Sequence, residues 1–158
     1  MKKLFILLIL FSAFSCKVIE VSSVYDEKKD FSKYKTYALD QEVFELYVAE
    51  QYRDYFRAAI DDKMADEGLT KSSDPDMLVN VLLAGEKFSP VTEAANSFYY
   101  HGFTQGTLVL SFIDEESRKI IWQGTGTKSI VKDLPESKVE ANINNAIKQI
   151  LKDYPPKN

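Results

Sequence analysis

One cysteine and one histidine in 158 residues leave this chain short of the side chains that metal sites and hydrolytic triads use. With Cys16 alone there is no intramolecular disulfide, so the fold must stand on packing. With His101 as the single imidazole, a Ser-His-Asp arrangement has one possible base, and no Gly-x-Ser-x-Gly elbow accompanies it. One His and one Cys leave only carboxylates for a metal, and no calcium-loop spacing occurs. Gly124-x-Gly126 lacks the third glycine and the helix start of a phosphate cradle. No metal and no cofactor is expected. Apolar runs are short: the longest near the start, Leu4–Phe11, falls well below the roughly 20 residues of a spanning helix. Basic clusters interleaved with aromatics are missing too, and the net charge is −4, which argues against nucleic acid.

What is present begins at the amino end. Lys2 and Lys3 precede the apolar run, and Ser12-Ala13-Phe14-Ser15 leads into Cys16. A charged start, a short apolar middle and small residues before a cut mark an export signal. Ala13 and Ser15 suit an ordinary signal peptidase, whereas Cys16 suits the lipoprotein enzyme, and Ser15-Cys16 resembles the lipobox of bacterial lipoproteins. We expect residues 1–15 to be removed and residues 16–158 to form a single domain on a short tether. The resemblance implies acyl chains on Cys16. Each buried methylene contributes about 0.8 kcal/mol, so two or three chains hold firmly where one does not. Lys17 after the cysteine, read by the sorting rules of such lipoproteins, implies the outer membrane, facing the periplasm.

Further along, Val18–Tyr25 and Lys35–Leu39 carry β-prone residues and read as strands, with Asp26–Ser32 a charged turn. From Val43 to Glu67 the period changes. Phe44, Val48, Tyr52, Phe56, Ala59, Ile60 and Met64 recur at helical steps, predicting one helix closed by Gly68 and Leu69. Met77–Ala84 is almost wholly apolar, predicting a central strand buried on both faces. Thr107–Ile113 and Ile120–Ser129 follow as a hairpin about a polar turn, Asp114–Lys119. Leu108, Leu110 and Phe112 share one face; Trp122, Gly124 and Gly126 share a face opposite Ile121, Gln123, Thr125 and Thr127. Pro135–Tyr154 reads as a second helix, with Val139, Ile143, Ala146, Ile147, Ile150 and Leu151 inward, Ser137 and Glu140 as a capping box, and Pro155-Pro156 as its stop. The glycines beside Trp122 predict a helix pressed close to the sheet. This order predicts an α+β fold, an antiparallel or mixed sheet of about five strands with two helices packed on one face.

Asp30-Phe-Ser-Lys-Tyr-Lys-Thr-Tyr37, Asp74-Pro-Asp-Met-Leu-Val79, Gly106-Thr-Leu-Val-Leu110 with Asp114, Ile121-Trp-Gln-Gly124 and the ending Tyr154-Pro-Pro156 occur in an order that resembles the DUF4136 envelope lipoproteins. The likeness covers essentially the whole mature chain and implies the same fold and an envelope location, without an established activity. Where many members carry a Gly/Tyr/Trp-rich segment, this chain has Phe98-Tyr-Tyr-His-Gly-Phe103.

That segment is the candidate surface. Residues 85–105 make a connection longer than most within a compact domain. Phe98, Tyr99, Tyr100, His101 and Phe103 within it could form a platform for an envelope protein or a glycan, since tyrosine joins an apolar face to a polar tip. The other reading is a hairpin prolonging the two central strands. The acid pairs Asp61-Asp62, Asp66-Glu67, Asp74/Asp76 and Glu115-Glu116 invite comparison with glycosidase carboxylates. Neighbours on a helix point apart, however, and these pairs fall on solvated faces or turns. The expectation is therefore a lipid-anchored envelope protein that is not an enzyme but binds or scaffolds. The alternative is a cell-wall or glycan hydrolase using carboxylates.

Overall fold

The computed structural model describes residues 19–87, 104–130 and 134–156. In chain order these form β1 (Glu20–Tyr25), β2 (Thr36–Leu39), α1 (Gln41–Tyr47), α2 (Arg53–Asp66), β3 (Thr70–Lys71), β4 (Met77–Lys87), β5 (Thr104–Asp114), β6 (Ile120–Ile130) and α3 (Glu136–Ile150). One mixed sheet runs in the order β1-β6-β5-β4-β2-β3, so the α+β class is as expected. Strands β1, β6, β5 and β4 pair antiparallel, while β2 lies parallel to both β4 and β3. The sixth strand is β3, two residues long. It is too short to leave a periodic signal.

Alternation decides which face is covered. Met77, Val79 and Val81 on β4 are fully buried, as are Leu110 and Phe112 on β5 and Trp122 on β6. The intervening Leu78, Asn80 and Leu82 are only half-buried. The continuous apolar run therefore does not mark a strand fully buried on both faces: among the described residues helices cover one side, and the other is half-buried. A β-bulge separates Phe112↔Trp122 from Ile113↔Ile120, which makes Ile121 the extra residue. It belongs to the core cluster at 1% exposure, not to the opposite face predicted by simple alternation.

The long helix expected over 43–67 is two. Chain after Tyr47 turns extended at Val48, passes through a 3-10 turn at Glu50–Tyr52 and restarts at Arg53. The apolar stripe is nonetheless the buried one: Phe44, Val48, Phe56, Ala59, Ile60 and Met64 all lie in the core. The break has a tertiary cause, because α1 lies against β4 whereas α2 lies against α3, and one straight axis cannot serve both. Arg53 makes the break tolerable by donating to the Val48 carbonyl (3.0 Å) and the Glu45 carbonyl (2.8 Å), which the helix end leaves free. At the far end of α2, Leu69 N–H donates to the Met64 carbonyl and Gly68 N–H to that of Ala65, with Gly68 at φ +76°. These are the two bonds of a Schellman stop.

In α3 the inward residues are Ile143, Ile147 and Ile150, continued by Leu151. Its start differs from the expected capping box. Pro135 is the cap residue and no side chain caps the first turn; the Pro135 carbonyl accepts from the N–H groups of Lys138 and Val139. Ser137 thus sits inside the first turn, where its hydroxyl cannot act as an N-cap. Beyond α3, Tyr154 enters an aromatic cluster with Phe112 (4.5 Å between centroids), Trp122 (5.4 Å) and Phe31 (6.0 Å).

Candidate functional site

Cys16 and the aromatic group Phe98, Tyr99, Tyr100, His101 and Phe103 lie outside the described residues. What the structure does define is the frame around them. Pairing between β4 and β5 continues past Ala84↔Thr107 through Gly85↔Gly106 to Lys87↔Thr104. Part of the long connection is therefore sheet, and the chain leaves and re-enters at two paired residues. Across the next strands, Thr107 pairs with Thr127, and Thr127 with Glu20, the first residue of β1. Glu20, where β1 begins, and the Lys87–Thr104 pair therefore lie towards the same end of the sheet.

At the opposite end sits the strongest polar cluster among the described residues, one missed by sequence reasoning. Asp114, 8% exposed, accepts from Lys29 Nζ (2.9 Å), Tyr34 Oη (2.6 Å) and the Ser117 backbone N–H (2.6 Å). Bonds from Ser117, Tyr34 and Lys29 hold its carboxyl well below the usual carboxylate range, while burial and the same bond push the Tyr34 phenol up to about 12. In the sequence Asp114 stood out as a turn residue and in the family resemblance; its side-chain partners Lys29 and Tyr34 lie 85 and 80 positions earlier. The cluster ties that stretch to the β5–β6 turn.

Two other acids are similarly committed. Asp76 accepts from the backbone N–H groups of Lys35 and Thr36, both at 2.8 Å, which fixes β2 beside β4 and holds the carboxyl below its ordinary range. Asp61 accepts from Tyr37 Oη at 2.7 Å and from Lys71 Nζ at 2.5 Å. Of their sequence neighbours, Asp62 and Asp74 are exposed. Glu67 pairs with Lys63 and Glu115 with Arg118, whereas Asp66 and Glu116 face solvent. Hydrogen bonds hold the carboxyls of Asp30, Asp76 and Asp114 below the ordinary range, the opposite of what a general acid needs. A shallow groove of about 430 Å³ lies beyond β2, lined by Tyr37, Leu39, Gln41, Arg57, Lys71 and Ser72 among others, without a carboxylate in its wall. Among the described residues no three His, Cys, Asp or Glu side chains cluster as a metal site would need, and no helix is long and apolar enough to cross a membrane.

The arrangement is that of a helix-covered mixed sheet in which Asp61, Asp76 and Asp114 hold strands and turns. The family model described as "Domain of unknown function (DUF4136)" matches residues 21–156, and the chain belongs to that family. Its fold recurs in a PDZ domain protein from Parabacteroides distasonis ATCC 8503, with 15% identity and a TM-score of 0.63 over 89% of this chain. That likeness covers 36% of the larger protein, so the chain spans about a third of its length. A PelC dodecamer from Paraburkholderia phytofirmans superposes with a TM-score of 0.53 at 9% identity, over 85% of this chain and 95% of that one. A minor lipoprotein from Acinetobacter baumannii is more distant, with a TM-score of 0.43 at 16% identity, over 77% and 92% of the two chains. No curated protein matches the sequence.

Proposed function

We propose that the protein is a lipid-anchored domain of the bacterial envelope, held at the periplasmic face of the outer membrane through Cys16, which binds or scaffolds a partner without catalysing a reaction. The observation that carries this reading is the strand register. Glu20 pairs with Thr127, and Thr127 in turn with Thr107, three residues along β5 from Thr104. Only Lys17, Val18 and Ile19 separate Cys16 from β1, a reach of about 3.5 Å per residue at most. An anchor on Cys16 therefore holds the Lys87–Thr104 end of the sheet towards the membrane, and the segment between those two residues carries Phe98, Tyr99, Tyr100, His101 and Phe103. The commitment of Asp61, Asp76 and Asp114 to structural bonds favours binding over carboxylate hydrolysis.

Two variants test the two parts separately. Cys16→Ser should move the protein from the membrane to the soluble fraction, and a variant still firmly membrane-held removes the anchor. Tyr99→Ala/Tyr100→Ala/Phe103→Ala should lose the envelope partner seen by crosslinking in intact cells while keeping the wild-type melting temperature. Retention of every partner by that variant removes the aromatic surface.

A further inference from the structure

The two edges of the sheet are treated differently. At one edge β3 offers two residues, includes Lys71, and is followed by Ser72-Ser73-Asp74-Pro75, so little backbone remains for another strand to join. At the other, β1 runs for six residues, Glu-Val-Ser-Ser-Val-Tyr, without proline, lysine or a bulge. Among the described residues nothing pairs with its outer side. Val24 is 65% exposed and Tyr25 43%.

The direction of its free groups is determined. Asp26 N–H donates to the Ile121 carbonyl, so the even-numbered residues Glu20, Ser22 and Val24 aim their backbone groups at β6. Val21, Ser23 and Tyr25 aim theirs outward. In a chain of net charge −4, five of the six positions along this seam are uncharged, so two copies can approach here with little repulsion.

We infer that β1 is a pairing edge for a second copy of this chain, the two β1 strands running antiparallel about a two-fold axis at Ser22. The axis must keep side chains of paired residues on one face, which leaves two central registers. Centred on Ser23, Glu20 of each copy faces Asp26 of the other, and like charges directly opposite are destabilising. Centred on Ser22, Glu20 faces Val24, and Val21 exchanges backbone bonds with Ser23. The seam then joins two six-stranded sheets into one.

The full chain, purified in detergent, gives the test. In this register Ser22 meets Ser22 as a non-hydrogen-bonded pair at about 4.5 Å between Cα atoms, within disulfide range. Ser22→Cys should yield oxidised dimers well above wild type, and Ser23→Cys should not, its two copies being offset along the seam. Val24 is exposed and lies beside the neutral Gln123 within its own sheet, so charge there leaves the monomer intact. Facing Glu20 of the second copy twice, Val24→Glu should weaken the dimer by about tenfold in sedimentation equilibrium, whereas Val24→Lys should tighten it. Crosslinking at Ser23 in preference to Ser22, crosslinking at neither, or equal dimer strength in the two Val24 variants overturns the inference.

Discussion

Ile150 fills the space that a side chain at Gly126 would need. A Cβ built there lies 2.8 Å from Ile150 Cδ1 and 2.9 Å from Cγ1, and one on Gly124 lies 2.6 Å from Ile150 Cγ2. Helix α3 thus rests on bare backbone in β6, against the flank of Trp122.

Gly126→Ala should therefore destabilise the domain by overpacking, by about 1–3 kcal/mol in urea unfolding. Adding Ile150→Val removes the nearer methyl and should recover part of the loss. A double variant no better than the sum of its singles would show that the two positions do not compete for this space.

Gly68 makes a different prediction, since a Cβ there meets nothing within 4 Å and only φ +76° resists a side chain. Gly68→Ala should cost about 1–2 kcal/mol from the left-handed backbone alone. Gly68→Asn should cost less, because asparagine tolerates that region. Equal melting temperatures for all three proteins would refute the Schellman role.

Asp114 links stability to acid. Hydrogen bonds from Ser117, Tyr34 and Lys29 depress its folded pKa, so its contribution is complete above the unfolded value of about 3.9 and is lost as pH falls towards the folded one. Asp114→Asn should lose about 2 kcal/mol at neutral pH and flatten the acid limb of the stability profile. Parallel profiles for wild type and variant would sever this link.

Alkali should act through tyrosines. Burial is the main cause raising the phenols of Tyr34, Tyr37 and Tyr154, with Asp114 adding to Tyr34 and Asp61 to Tyr37. A raised folded pKa gives stability that is complete below the unfolded value of about 10 and falls away above it. Urea midpoints should drop between pH 10 and 12, and Tyr154→Phe should soften the drop. At neutral pH that variant should be almost as stable as wild type, since the hydroxyl reaches only Met77 Sδ, a weak acceptor, at 3.5 Å.

Much of this architecture was legible because burial repeats with the period of the element. The stripe from Phe44 to Met64, the Leu108-Leu110-Phe112 face and the inward row of α3 all form the core or, at Tyr52, Val139 and Ala146, pack against it. Gly124 and Gly126 announced the close approach of a helix without saying which residue would make it. The Lys29–Tyr34–Asp114 cluster was illegible, since nothing local connects residues that far apart. Segment 88–103 was visible as an aromatic excursion, while the position of its flanking residues Lys87 and Thr104 at the Glu20 end of the sheet required the strand order.

From sequence alone came the α+β class, the family, the positions of the buried stripes and Gly68 as a helix stop, because each depends on contacts among near neighbours. Tertiary structure alone decided the split between α1 and α2, the bulge at Ile121, the half-buried second face of the sheet and the unequal edges. Those depend on which distant element packs against each segment, and a periodic pattern carries no record of its partner.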